Sequence, residues 1–178
     1  MVPVARQQRQ GCSDFARSHD QRSVLLVGAE RGDEFADALR LVHRGYDVTA
    51  VNPRVTPAAR RFVATGGTVL QARLEELPRE CGRYEMICEN YPYPSGHHYV
   101  PPRPFALARL LRLAPGGRWI LHTEAVRFAT LIKAAIDHER TLRDHFVVTL
   151  SNVDPDTAPL SHYPAVKDRF RLVVERCG

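Results

Sequence analysis

Asn90, in the run Glu89-Asn90-Tyr91-Pro92-Tyr93, places an amide with one acceptor oxygen beside two aromatic rings. Such a set orients a planar polar ligand by hydrogen bonding and stacking, and it equally suits an extended loop whose rings pack on the core. Gly28 and Gly32 bracket Ala29-Glu30-Arg31 directly behind the apolar run Val24-Leu25-Leu26-Val27, which marks a tight turn. His97-His98-Tyr99 offers a general base, a pair of metal ligands or a solvated loop; adjacent side chains on a strand point to opposite faces and chelate poorly. Ser161-His162-Tyr163-Pro164 reads as a surface loop between the last two expected strands. Cys12, Cys81, Cys88 and Cys177 are scattered without a CxxC pair, so neither a zinc site nor a disulfide framework is indicated, and Cys88 and Cys177 read as small core or terminal residues.

The charge distribution adds a further candidate. The chain has 25 basic and 20 acidic residues, net +5, and Lys133 and Lys167 are its only lysines. Arginine bias from a GC-rich genome explains this composition. Yet Pro53–Arg73 holds Arg54, Arg60, Arg61 and Arg73 without an acid, and Pro101–Ile120 holds Arg103, Arg109, Arg112 and Arg118 likewise. Two acid-free basic stretches would attract a polyanion such as nucleic acid, or an acidic partner.

These residues need elements to position them. At 178 residues, 44% hydrophobic and 25% charged, the chain is sized and composed for one globular core. No apolar run is long enough for a membrane span, and the start shows no signal-peptide core, so a soluble cytoplasmic protein is expected. Residues 1–22 are polar and are expected to form a flexible leader, with a single domain over 23–178. Val24–Val27 suits a strand buried on both faces. Helical spacing of Phe35, Leu39 and Val42 follows, with Asp33 as its cap, and Tyr46–Val51 completes a strand, helix, strand unit. The alternation continues with a helix at Thr56–Ala64, strands at Thr68–Gln71 and Tyr84–Cys88, and a proline-rich loop over Tyr91–Pro104. Beyond it, a helix is expected at Phe105–Leu113 with Pro115-Gly116-Gly117 as its stop, then a strand at Trp119–Leu121 and a helix at Ala125–Arg140. Phe146–Leu150 and Phe170–Val174 read as final strands. The alternation predicts an α/β fold, a mostly parallel seven-stranded sheet with an antiparallel last strand, its chemistry in loops at the carboxyl ends of the strands.

The order of Val24–Gly28, Gly32, Val48–Asn52, Leu74–Pro78, Tyr84–Tyr93 and Leu110–Leu121 resembles class I S-adenosylmethionine-dependent methyltransferases over residues 23–178. Leu113-Ala114-Pro115-Gly116-Gly117-Arg118-Trp119-Ile120 is the most specific piece, similar to the family's turn into its fifth strand. The resemblance implies a three-layer Rossmann-like sandwich. It also implies S-adenosylmethionine as cofactor, held at Gly28, Ala29, Glu30, Gly32, Asn52 and Leu74. Glu30 stands where the family has its middle glycine, Asn52 where it has an acid accepting from the ribose hydroxyls, and Ala72 or Arg73 where an acid faces the adenine. Asn90-Tyr91-Pro92-Tyr93 resembles the Asn-Pro-Pro-Tyr signature of methyltransferases acting on amino nitrogens, with Tyr91 in place of the first proline. Those four residues are then the catalytic candidates: Asn90 and a backbone carbonyl hold the amino hydrogens while a ring stacks on the acceptor. With Arg103 and Arg109 near that loop, the expected acceptor is an amino nitrogen on a polyanion or acidic partner. Two other readings stay open, a Rossmann-like binding module that has lost its cofactor and a dinucleotide enzyme of the NAD type.

Overall fold

The computed structural model describes residues 22–30, 32–78, 82–90, 101–154 and 169–178. They form two compact units, Met1–Tyr84 and Glu85–Gly178. Their strands number seven, parallel in the first unit and antiparallel at the end of the second.

The first unit begins with β1 (Ser23–Val27), α1 (Gly32–His43) and β2 (Asp47–Val51). Val24, Leu25 and Val27 are buried, and β1 pairs with β2 in parallel, Val24 opposite Val48 and Val27 opposite Val51. Asp33 and Glu34 occupy the first turn of α1, and Arg40 and His43 the last, which complements the helix dipole. Asp33 therefore lies inside the helix, which starts one residue earlier than its expected cap. Thr56 caps α2 (Pro57–Ala64) through its hydroxyl, which accepts from Ala59 N at 3.2 Å, with Pro57 supplying a preset first turn. Then come β3 (Thr68–Leu70), parallel to β2, and a 3₁₀ turn at Leu74–Glu76.

Phe35 of α1 and Phe62 of α2 meet at 5.2 Å between ring centroids. A Cβ on Gly67 would lie 2.2 Å from the Phe62 ring, whose side chain is wholly buried. Gly67→Ala is therefore expected to cost about 1–3 kcal/mol through overpacking, read as a lower urea midpoint at unchanged slope.

In the second unit, β4 (Tyr84–Asn90) is followed by α3 (Pro102–Leu110), β5 (Leu113–Thr123), α4 (Val126–His138), α5 (Arg140–Arg143), β6 (Phe146–Asn152) and β7 (Phe170–Arg176). Strand β7 is antiparallel to both β5 and β6 and lies between them. Phe105 packs against Trp119 at 6.0 Å and edge-on to Phe128 at 5.0 Å. Ile132, Ile136, Leu121, Leu172 and Val174 complete a fully buried core.

Several boundaries differ from expectation: α3 already starts at Pro102, inside the expected loop Tyr91–Pro104, and β6 and β7 each run two residues past their expected ends at Leu150 and Val174. The third helix closes at Leu110, because Leu111 N and Arg112 N bond back to Leu107 and Arg109 and return the chain to the sheet at Leu113. Pro115-Gly116-Gly117 thus sits within β5, with Gly116 at φ +72°, and does not stop the helix. The long helix ends at His138, since Glu139 is extended and its carboxylate is held by Arg103 at 2.8 Å. Strand β4 runs two residues beyond Cys88, so Asn90 is its last residue, not the first of a loop.

Candidate active site

In the first unit the carboxyl ends of β1 and β2 are tied together. Gly28 turns the chain at φ +72°, a left-handed conformation that favours glycine, and its N–H donates to Val51 O at 2.9 Å. A Cβ on Gly28 or Gly32 would meet no atom of the described residues within 4 Å. Asn52 follows β2 and is 1% exposed. Its Nδ2 donates to Ala29 O at 2.8 Å, and its Oδ1 accepts from Arg54 N at 3.1 Å. Among the described residues, these bonds use one of its two amide hydrogens and one of its two lone pairs. Glu30 N donates to Glu34 Oε2 at 3.0 Å, so a carboxylate of the chain already lies against the turn. Ala29 and Leu74 are both buried.

In the second unit Asn90 Oδ1 lies 3.0 Å from His122 Nδ1. A carbonyl oxygen only accepts, so Nδ1 carries the proton and Nε2 the lone pair. Burial, with the nearby Arg171 charge as a second cause, lowers the His122 pKa from 6.5 to about 4. The imidazole is neutral at neutral pH. Arg171 stands directly across from His122 in the β5–β7 register. Neither was picked out in the sequence, although a polar side chain ending the run Trp119-Ile120-Leu121 at a carboxyl strand end was a usable signal.

One residue before Asn90, Glu89 is buried in a bidentate pair with Arg109, whose Nη2 donates to Oε1 at 2.7 Å and whose Nε donates to Oε2 at 3.0 Å. The Arg109 guanidinium lies 3.5 Å from the Phe105 ring centroid and donates from Nη1 to Phe105 O at 3.1 Å. This corrects the expectation that Arg103 and Arg109 face an anionic acceptor: Arg109 is inside, and Arg103 pairs with Glu139. Arg112 is buried with Nη1 on Ala108 O, and Arg118 pairs with Glu175 at 3.7 Å. The second arginine stretch is acid-free only in sequence, because the fold brings acids to it from β4, β7 and the end of α4. Arg169 pairs with Glu124 just beyond β5.

Burial raises the Cys88 thiol to about 11, which keeps it protonated and unreactive. Tyr91, Pro92, Tyr93, His97, His98, Ser161 and His162 lie outside the described residues. Among the described residues no group of three or more His, Cys, Asp or Glu could hold a metal ion, and no helix is long and apolar enough to cross a membrane.

No family model and no curated protein matches the chain by sequence. Solved structures do match it in fold. A putative methyltransferase from Thermoplasma acidophilum superposes with a TM-score of 0.61 at 10% identity, covering 89% of this chain and 69% of that one. The N-methyltransferase NodS from Bradyrhizobium japonicum WM9 gives 0.58 at 13% identity, covering 99% and 98%. The plantazolicin methyltransferase BpumL, in complex with a desmethylplantazolicin analogue and SAH, gives 0.62 at 8% identity, covering 99% and 86%. The chain thus has the Rossmann-like fold of class I S-adenosylmethionine-dependent methyltransferases. At these identities the likeness is one of fold.

Proposed function

We propose that the chain transfers a methyl group from S-adenosylmethionine to an amino nitrogen. The observation carrying this reading is the Gly28 turn, a left-handed glycine on which a Cβ would meet no atom of the described residues within 4 Å, at the first strand end of a methyltransferase-type sheet. The residues fit the group. Gly28, Ala29, Glu30 and Gly32 would hold its methionyl part by backbone, and the buried Asn52 and Leu74 would back the ribose and base from beneath, meeting them once the strand ends open. When bound, the cofactor supplies an electrophilic methyl on a sulfonium.

On the acceptor side, Asn90 would hold an amino hydrogen at Oδ1, the atom that faces His122, and Tyr91, Pro92 and Tyr93 would frame the acceptor plane. The work of the protein is alignment, which is sufficient for a direct displacement. The N-methyltransferase among the matched folds and the SAH complex of another support the amino acceptor and the cofactor respectively.

Calorimetric titration with S-adenosylmethionine, SAH and NAD tests this reading. Binding of the first two and not the third is expected, and no binding at millimolar cofactor overturns it. Asn90→Ala is expected to keep the cofactor affinity and to lose about a hundredfold in transfer rate to any acceptor found. A second reading, a binding module that has lost its cofactor, is favoured by the internal bonds of Asn52 and by Glu34 at the Glu30 N–H. The same titration separates the two.

A further inference from the structure

Strands β4, β5, β7 and β6 are neighbours in the sheet, and near their site end they carry a row of polar residues: Asn90, His122, Arg171 and Ser151. Asn90 is bonded to His122, His122 is in register with Arg171, and Arg171 with Ser151. Directly opposed residues of an antiparallel pair share a face, with Cβ atoms about 5 Å apart. The Arg171 side chain is exposed and, among the described residues, makes no ion pair or hydrogen bond, whereas Arg169, two residues earlier, is neutralised by Glu124. The row contains no acid. Its one formal charge is the Arg171 guanidinium, and the acceptor that His122 presents is Nε2, because Nδ1 is committed to Asn90.

We propose that Asn90, His122 and Arg171 form an oxyanion-reading subsite for the acceptor. Arg171 binds a carboxylate or phosphate of the acceptor through its planar fork, and His122 Nε2 accepts from an N–H or O–H on the same molecule. His122 also acts as a positioning residue: by donating to Oδ1 it fixes which way the Asn90 amide faces. Calling the ligand an acceptor rests on the methyl-transfer reading; the anion site itself does not. The charge that recognises the anion comes from a strand outside both acid-free arginine stretches, whose second member is consumed by ion pairs and burial.

The test uses the full chain and two probes, inorganic phosphate and acetate, each titrated at constant ionic strength at about pH 5. The readout is the His122 ring protons by NMR, assigned with His122→Asn. An anion on Arg171 cancels the charge that opposes imidazolium, so a saturable shift toward the protonated form is expected. Arg171→Gln, at an exposed position, is expected to start nearer that form and to lose about tenfold or more in anion affinity. A stronger response to phosphate assigns a phosphoryl-bearing acceptor, and a stronger response to acetate a carboxylate-bearing one. No saturable response to either ion, or an equal response in Arg171→Gln, overturns the proposal. SAH binding measured on the same samples keeps the two readings apart. Retained SAH binding with a silent His122 removes the anion subsite alone, and a responsive His122 without SAH binding removes methyl transfer alone.

Discussion

Replacing Glu89 with alanine is expected to lower folding stability by about 3–5 kcal/mol, because it strands a buried cation. Both side chains of the Glu89–Arg109 pair are 3% exposed, and the guanidinium is enclosed by the Phe105 ring on one side and the carboxylate on the other. Water cannot replace the lost partner without opening the contact between α3 and β4. The pair as a whole need not be strongly stabilising, since desolvating two charges offsets most of their attraction. Glu89→Leu combined with Arg109→Met should therefore recover most of the loss, whereas each single change is costly. Urea unfolding of the two singles and the double measures the coupling directly. Additive losses would show that the pair is solvated in solution. A second readout bears on function: Glu89 precedes Asn90 on the strand, so the double variant should fold and bind cofactor while its Asn90 end is less firmly placed.

The sheet was legible because its strands announce themselves twice, by apolar runs and by the glycines and prolines between them. Val24–Val27 before Gly28 and Val48–Val51 before Asn52-Pro53 could be read without tertiary information, since strands buried on both faces need continuous apolar residues. The helix expected over Thr56–Ala64 is α2, which begins one residue later because Thr56 is its cap. Boundaries failed where a long-range partner decided them. Glu89 and Asn90 look like loop residues until Arg109, 20 residues on, and His122, 32 residues on, bond to them and extend β4. Glu139 ends α4 while bonded to Arg103, 36 residues earlier. Leu113 read as helical because it continues the apolar pattern of α3, yet its burial belongs to the sheet.

The site was half legible for a related reason. The turn at Gly28 is a local backbone event, and glycine spacing encodes it. Arginine roles are not local: in Pro101–Ile120 the four guanidiniums looked alike, and only the fold separates Arg109, inside with Glu89, from Arg103 on Glu139 at the surface. Asn52 shows the same limit. Its type and position suit a ribose contact, while its bonds to Ala29 and Arg54 show that it also fastens the β1 and β2 ends together.

Acidification is expected to act on stability through His122. In the folded chain the imidazole stays neutral down to about pH 4, while in the unfolded chain it takes up a proton near 6.5. Between those values the unfolded state holds more protons, so stability falls as pH falls through that window and is fully present above it. A displacement of that size corresponds to about 3 kcal/mol, and residual hydration of the half-buried ring brings the expected loss nearer 2 kcal/mol. Carboxylates titrate at the lower end of the same range, so the comparison must be differential. The loss between pH 7 and about 4.5 by urea unfolding should be smaller in His122→Asn, which keeps a side-chain donor for Asn90 and has nothing to protonate. Arg171→Gln should lie between the two, because it removes the second cause of the shift and leaves burial, the first. Equal pH dependence in wild type and His122→Asn would mean that the ring is solvated and not held by Asn90, and the polar row would then lose the acceptor that His122 presents.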